Sequence, residues 1–188
     1  AATEQINTDG EHRAVANHSL DIDADGIILD TVIGDNDQAY WDMLSKLKKN
    51  NKKVPIVSIQ NDLSYHGIPS VALDNYKGGY MATEHLIQKG CKKPVCITGP
   101  SQIRWASARL EGYKKCLENH GLPYNSSYVI SGDCSPTAGY QAVNYLLLNA
   151  LEFDSIYAEN DLMAFGAVKA LLENGFRVPE DIKVIGYD

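Results

Sequence analysis

The sequence predicts an α/β fold built on parallel sheet, and three observations lead to this prediction. Short, continuous apolar runs alternate with longer segments whose apolar residues recur at helical spacing. Such runs are typical of strands covered by helices on both faces of a parallel sheet. A glycine follows several of the helical segments, and a proline comes two to four residues later. This order of glycine and proline ends a helix before the next strand begins.

The first part of the chain shows this alternation less regularly. The segment at 11–22 (EHRAVANHSLDI) is predicted to be a short helix, and 25–29 (DGIIL) a buried strand. A helix is predicted over about 37–49. Two further strands are predicted at 54–59 (VPIVSI) and at 70–73 (SVAL).

The second part repeats the strand and the helix at regular spacing. Apolar runs predict strands at 94–98, 127–130, 155–158 and 182–187. Helical periodicity predicts helices over about 74–90, 103–120, 136–150 and 161–174. Strands that alternate with helices in this way favour parallel pairing.

Charge and composition exclude two classes of partner. The net charge is −7, whereas a protein that grips DNA neutralises several phosphates with Lys and Arg. The one dense basic run, Lys46 to Lys53, is interpreted as the solvated C-terminal end of a helix. No apolar stretch approaches the roughly 20 residues that cross a bilayer. We therefore expect neither nucleic-acid binding by these residues nor membrane insertion.

The sequence lacks the usual patterns of metal and catalytic sites. Its four cysteines form no CxxC pair, and its five histidines are scattered. Cys96 in a strand and Cys116 on a helix are expected to be reduced, buried thiols. No GxSxG, P-loop or GxGxxG pattern is present. We expect no metal, no cofactor and no enzymatic activity.

Carboxylates and amides follow successive predicted strands. Asp30, Asp74, Asn160, Asp161 and Asp188 all stand just past an apolar run. Strands of an open parallel sheet present their carboxyl ends to a common crevice, where ligands bind. A polyol needs both donors and acceptors, which planar polar side chains supply. Capping of the next helix is the alternative role for Asp74, Asn160 and Asp161.

Arg109 and Trp105 share one face of a predicted helix because they are four residues apart. Arg109 is interpreted either as a surface ion-pair partner or as a bidentate clamp on a ligand. Trp105 is interpreted equally as a core residue or as a flat apolar wall for a sugar ring or base.

Three long runs resemble the effector-binding domain of the LacI/GalR transcription regulators, whose fold is that of the type I periplasmic sugar-binding proteins. The runs are DNYKGGYMATEHLIQKGCKKPVCITGP, ARLEGYKKCLENHGL and AENDLMAFGAVKALLENGFRVPEDIKVIGYD. The resemblance implies two doubly wound parallel-sheet subdomains, 1–73 and 74–188, with a small-molecule site in the cleft between them. It also implies that both subdomains are incomplete here, and that operator DNA is bound by a helix-turn-helix absent from this chain.

The resemblance assigns ligand-binding roles position by position. The family's cleft arginine matches Arg109, and its polar pair matches Asn160 and Asp161. A position that often carries an aromatic residue is Cys134 here, so a stacking platform there is doubtful and Trp105 becomes the better candidate. The ligand-binding residues implied in this way are Asp30, Asp74, Trp105, Arg109, Cys134, Asn160, Asp161 and Asp188.

The function expected from the resemblance is sensing of a small molecule, expected to be a carbohydrate, by a cytoplasmic homodimeric regulator. The ligand would favour one conformation through its differential affinity for that conformation. Purines and nucleosides stay open as effectors. Three alternatives remain: a periplasmic or lipid-anchored binding protein of a transporter, a sensor fused to a kinase or cyclase, and a doubly wound enzyme. The enzyme would use Asp30, Asp74 or Asp188 as a general acid or base.

Overall fold

The computed structural model describes residues 25–30, 42, 45, 55–60 and 62–187. The chain divides into two compact units, Ala1–Leu73 and Asp74–Asp188. Both contain parallel sheet, and the second alternates strands with helices, so the predicted α/β fold is confirmed. The helix predicted at 11–22 lies outside the described residues. So does most of the helix predicted at 37–49, of which Asp42 and Ser45 are described as helical.

The first unit contains a three-stranded parallel sheet in the order β1-β2-β3. Its strands are β1 (Ile27–Asp30), β2 (Ile56–Gln60) and β3 (Ser70–Ala72), close to their predicted positions. Between β2 and β3 the chain forms a 3-10 turn over Ser64–His66 that the sequence analysis missed. Gly67 closes this turn in the left-handed conformation, which glycine adopts without steric cost.

The second unit contains a four-stranded parallel sheet in the order β5-β4-β6-β7. Its strands are β4 (Pro94–Thr98), β5 (Val129–Ser131), β6 (Ser155–Ala158) and β7 (Lys183–Ile185). The predictions for β4 and β6 are confirmed to the residue. The predicted start of β5 at residue 127 is wrong, because Ser126–Tyr128 form a 3-10 turn instead.

Four helices cover this sheet: α1 (Asn75–Gln88), α2 (Arg104–Asn119), α3 (Pro136–Leu148) and α4 (Asp161–Glu173). Each lies within the predicted range. Three of them begin with a side-chain cap, in which an oxygen accepts a hydrogen bond from a free backbone N–H of the first turn.

Alternate residues of the two central strands pack on opposite faces of the sheet. Val95 on β4 and Ile156 on β6 belong to a core formed with α3 and α4. Cys96 and Tyr157, their neighbours in sequence, belong to a second core formed with α1 and α2. Because side chains alternate along a strand, a sheet buried on both faces needs continuous apolar strands. The second unit is therefore doubly wound.

The helices α1 and α2 make a close contact that only glycine permits. A Cβ atom on Gly79 would lie 2.1 Å from the carbonyl oxygen of Arg109, and one on Gly112 would lie 2.1 Å from that of Tyr76. The two backbones therefore touch directly. A second pair of glycines joins α3 to α4 in the same way. The contact at Gly79 holds the backbone of Arg109 against α1.

All four cysteines carry free thiols, and Cys91, Cys96 and Cys116 are buried. The expectation of reduced, buried thiols at Cys96 and Cys116 is therefore confirmed. In the described part of the chain, no helix has both the length and the apolar character that a membrane span requires.

Candidate functional site

The candidate site is centred on Arg109, which lies on α2 and is only 7% exposed. Its Nε donates a hydrogen bond of 2.8 Å to the side-chain oxygen of Asn75, the first residue of α1. Its Nη1 donates to the backbone carbonyl of Glu159, the residue that follows β6. The guanidinium therefore joins the N-terminus of a helix to the carboxyl end of a central strand. The close approach of α1 and α2 makes this possible.

Two aromatic rings lie against the guanidinium. The ring centroid of Trp105 is 4.5 Å from the Cζ of Arg109, and that of Tyr187 is 3.9 Å away. Aromatic faces attract cations, so both rings hold the guanidinium in place. Arginine carries five N–H donors, and no described residue accepts a hydrogen bond from Nη2. The arrangement can bind an acceptor group of a ligand through this nitrogen.

Glu159 is fully buried beside these contacts. Its Oε2 accepts a hydrogen bond of 2.8 Å from the backbone N–H of Gly99, which follows β4. Its Oε1 has no hydrogen-bond partner in the described part of the chain. Burial raises the pKa of this carboxyl to about 8, although the Gly99 amide and the charge of Arg109 oppose the shift. The side chain is therefore mainly a neutral carboxylic acid at pH 7.

Asn160 uses both ends of its amide within the protein. Its oxygen caps α4 by accepting from the Met163 N–H at 2.9 Å, and its NH₂ group donates to the carbonyl of Cys134 at 2.9 Å. Cys134 has a φ of 70°, so the turn after β5 bends sharply toward the start of α4. Among the predicted site residues, Asn160 and Cys134 are thus brought together through this hydrogen bond.

The two aspartates that open helices are exposed. Asp74 caps α1 by accepting from the Lys77 N–H at 2.9 Å. Asp161 begins α4, and its carboxylate lies close to the backbone of Gly186, where a Cβ atom would be 2.0 Å from Oδ1. Asn75, rather than its neighbour Asp74, contacts Arg109. The capping role that the sequence analysis left open for Asp74 is therefore present.

The remaining predicted site residues lie partly or wholly outside the described residues. Asp30 is the last residue of β1, but its side chain is not described, and Asp188 lies beyond the last described residue. Trp105 and Arg109 contact each other as their helical spacing predicts. The convergence of all eight residues on one ligand stays a prediction.

Three residues beside Arg109 were not among the predicted ligand-binding residues: Asn75, Glu159 and Tyr187. Asn75 and Glu159 stand directly next to residues that were chosen, at the junctions of strand and helix. A glutamate at the end of an apolar strand is unusual because a charged carboxyl resists burial. That local pattern was the available signal for Glu159. No comparable signal marks Tyr187.

A separate open depression of about 440 Å³ lies beside the edge strand β5. It is lined by residues of β5, of the turn after it and of α3, including Ser131, Asp133, Gln141 and Tyr145. None of the contacts of Arg109 forms part of its wall. Its openness and its place at the sheet edge distinguish it from the buried contacts around Arg109.

The described residues contain no group of three or more His, Cys, Asp or Glu side chains that could hold a metal ion. The Sγ of Cys116 lies 3.7 Å from the Nδ1 of His120, an arrangement that resembles a nucleophile and its base. Burial raises the pKa of this thiol to about 12, so it is not a thiolate near neutral pH. The pair is therefore unsuited to nucleophilic chemistry.

Comparison with protein families gives one match that spans nearly the whole chain. A family model described as periplasmic binding proteins and sugar binding domain of LacI family matches residues 5–188. A curated relative, the HTH-type transcriptional repressor PurR of Haemophilus influenzae, is 39% identical over 138 residues. That alignment covers 66% of this chain and 41% of the relative. The chain thus spans less than half the length of this relative.

Solved structures show the same similarity. A complex of the transcriptional regulator CelR with cellobiose superposes with a TM-score of 0.80 at 31% identity, covering 96% of this chain and 54% of that one. A sugar-binding transcriptional regulator of the LacI family from Escherichia coli, complexed with phosphate, gives a TM-score of 0.77 at 30% identity. Here 95% of this chain and 62% of that one are covered.

Proposed function

Because the chain belongs to the family that comprises periplasmic binding proteins and the sugar binding domain of LacI-type regulators, we propose that it senses a small-molecule effector for a bacterial transcription regulator. The regulator acts in the cytoplasm, where it binds operator DNA. The net charge of −7 supports assigning DNA contact to another segment of the protein, a helix-turn-helix in our prediction. The domain binds its effector without chemical turnover, as a regulator rather than an enzyme.

The observation that carries this proposal is the buried guanidinium of Arg109. An arginine that is 7% exposed, held by a side-chain amide, a backbone carbonyl and two aromatic rings, has a fixed orientation before any ligand arrives. Its Nη2 donors lie at the carboxyl side of the sheet, where ligands of open α/β proteins bind. A preorganised donor loses little entropy on binding, which favours a specific effector.

The effector class that we propose is a carbohydrate, held by hydrogen bonds from Arg109 and from neighbouring polar side chains. The family description, which includes a sugar binding domain, and the cellobiose complex of the regulator CelR support this choice, and the Trp105 ring offers a flat surface for a sugar or a base. A purine base is the second candidate, since the relatives named PurR point to that class. Of the eight predicted ligand-binding residues, Trp105 and Arg109 have the strongest structural support. The roles of Asp30, Asp161 and Asp188 remain proposals from the resemblance.

The test is a thermal-shift screen of the chain with disaccharides, monosaccharides and purine bases, followed by calorimetry on any ligand that raises the melting temperature. A ligand that binds only the folded state stabilises it by mass action. We expect Arg109→Lys to weaken binding at least tenfold, because an ammonium cannot replace the two-sided hydrogen bonding and stacking of a guanidinium. Arg104→Lys, an exposed position on the same helix, is the matched control and should bind as the wild type does.

Unchanged affinity in Arg109→Lys would contradict the site assignment. Binding of purine bases alone would replace the carbohydrate with the second candidate. Turnover of the bound ligand would indicate an enzyme instead. If no compound in the panel raises the melting temperature or shows heat of binding, the proposed sensing of these classes is wrong.

We further propose that the regulator is a homodimer and that the second copy packs on the exposed face of α4. Leu162, Phe165 and Leu172 lie along one side of this helix, and Phe165 is 68% exposed. Their spacing of three and seven residues places them on one stripe. Apolar stripes of this kind are typical of protein interfaces.

The oligomeric state of the chain tests this interface by light scattering after gel filtration. We expect Phe165→Asp to shift a dimer toward monomer, because burying an unpaired carboxylate is costly. Leu148→Asp on α3, where the wild-type side chain is 86% exposed, is the control and should leave the dimer intact. Equal dimerisation of Phe165→Asp and wild type would exclude this face of α4.

A further inference from the structure

Glu159 connects three parts of the second unit, and one of its carboxyl oxygens has no partner among the described residues. Its backbone N–H donates to the Ile97 carbonyl at 2.9 Å, its Oε2 accepts from Gly99, and its carbonyl accepts from Arg109. Its Oε1 has no partner in the part of the chain that the structure describes. A buried polar atom without a partner is costly, and such atoms often mark a functional role.

Burial, rather than the groups around it, keeps this carboxyl uncharged. Cys96 on β4 and Tyr157 on β6 face it from the sheet, and burial raises the pKa of each above its ordinary value. Arg109 on α2 is the one cation among the described groups that act on the carboxyl, and it bonds to the backbone carbonyl of Glu159 instead. Tyr187, which follows β7, packs the face of its ring against the guanidinium of Arg109. With no exposure to water, the carboxyl is stable as the neutral acid.

Within the described residues, the neutral acid leaves the charge of Arg109 without a counter-charge. The described partners of Arg109 are the side-chain oxygen of Asn75, a backbone carbonyl and two aromatic rings, which carry no net charge. No described carboxylate forms an ion pair with Arg109. A buried cation without a counter-charge interacts strongly with any acceptor that reaches it, because the local dielectric is low.

We propose that Glu159 is a positioning residue that couples effector binding to its own proton. When Glu159 is neutral, the charge of Arg109 is available to the effector. When Glu159 is ionised, its carboxylate attracts that charge instead. The inference rests on the proposed function, in which Arg109 contacts the effector. Loss of the Glu159 proton creates an anion that attracts the guanidinium electrostatically. This internal anion competes with the acceptor group of the effector, so binding weakens as the pH rises.

The direction and size of the effect follow from proton linkage. Burial raises the pKa of Glu159 to about 8, so the change is centred in mildly alkaline solution. Exchange of one proton changes the affinity by at most about tenfold per pH unit. We expect the affinity of the wild type to fall about tenfold from slightly acidic to clearly alkaline pH. Glu159→Gln, which keeps an acceptor for Gly99 but cannot ionise, should flatten this profile.

The binding experiment titrates cellobiose and, separately, the purine base hypoxanthine into wild type, Glu159→Gln and Glu152→Gln across this pH range. Glu152 is an exposed carboxylate that pairs with Lys93, so its substitution should leave the wild-type pH profile unchanged. Equal pH dependence in Glu159→Gln and wild type overturns the inference. A wild-type affinity that is measurable but does not change with pH would also overturn the inference, while the proposed function would still hold.

A second measurement needs no effector. In ¹³C-glutamate-labelled protein, the side-chain carboxyl signal that is lost in Glu159→Gln identifies Glu159. We expect it to titrate in mildly alkaline solution, and the ¹⁵Nε resonance of Arg109 to shift at the same pH in the wild type only. An ionised Glu159 at neutral pH, or an Arg109 resonance that does not follow it, overturns the inference. Absence of binding by either probe, with both resonances moving as expected, contradicts the proposed effector classes instead.

Discussion

The guanidinium of Arg109 donates a hydrogen bond to the backbone carbonyl of Glu159, while the carboxyl of Glu159 is hydrogen-bonded to the amide of Gly99. Arg109 and Glu159 are thus neighbours in the protein interior, but their side chains do not form an ion pair with each other. Desolvation of two charges often costs more than their attraction returns. The neutral acid avoids that cost for Glu159 and keeps the charge of Arg109 for other contacts.

The stability of the protein should fall as the pH rises because of Glu159. The carboxyl binds its proton up to a pKa of about 8 when folded, against an ordinary value of 4.5 when unfolded. Between these values the folded state holds a proton that the unfolded state releases, so rising pH favours unfolding. We expect the free energy of unfolding of Glu159→Gln, from urea denaturation, to lack this component of the pH dependence. Parallel pH profiles of variant and wild type would contradict the raised pKa.

Gly79→Ala should disturb both stability and effector binding. The new methyl group would meet the Arg109 carbonyl oxygen at 2.1 Å, so α1 and α2 must separate at the residue that anchors the site. Overpacking of this kind costs about 1–3 kcal/mol in the free energy of unfolding. Urea denaturation and calorimetry measure the two effects.

Gly139→Ala is the matched control for that substitution. Its methyl group would meet the Met163 carbonyl oxygen at 1.9 Å, in the contact of α3 with α4 on the other face of the sheet. A comparable loss of stability is expected, with effector affinity close to that of the wild type. If both substitutions weaken effector binding equally, the loss of binding in Gly79→Ala reflects general destabilisation rather than a change at Arg109.

Asn75→Ala should weaken effector binding, whereas Asp74→Ala should not. Asn75 accepts from the Nε of Arg109, and its loss leaves a buried charged donor without a partner, at a cost of about 1–3 kcal/mol. Asp74 is exposed and caps α1, so its loss costs about 1 kcal/mol of helix stability. Calorimetry on both variants distinguishes the roles. Strong weakening of effector binding by Asp74→Ala would instead support the ligand contact that the family resemblance implies.

Asn160→Ala should destabilise the protein more than Asn160→Ser does. Alanine removes both the cap on α4 and the hydrogen bond to Cys134, whereas serine keeps an oxygen that can cap the helix. Loss of a cap costs about 0.5–2 kcal/mol, and the free energy of unfolding from urea denaturation reports it. Equal stability of the two variants would mean that the cap contributes little here.

The regular part of the fold could be predicted from local pattern. Strands β4 and β6 were predicted to the residue because both faces of the sheet are covered, which makes each strand a continuous apolar run. Strand β5 was misplaced at its start. There the side chain of Asn125 accepts a hydrogen bond from the Ser127 N–H at 2.9 Å and forms a turn that apolar periodicity does not show.

The candidate site was predicted only in part. The pairing of Trp105 with Arg109 follows from spacing on one helix, so the sequence indicates it directly. The choice between capping and ligand binding at Asp74 and Asn160 was open, because one side-chain oxygen serves either purpose. The structure shows the capping hydrogen bonds at both residues.

By itself, the sequence determined the family and, over residues 70–187, the order of strands and helices and their approximate ends, because these depend on neighbouring residues and on runs of matched positions. Only the tertiary structure decided the charge state of Glu159 and the partners of Arg109. Glu159 meets Gly99 across 60 positions, and Arg109 meets Asn75 across 34 and Glu159 across 50. Burial by such distant segments removes water from the carboxyl, and that loss of water makes it neutral.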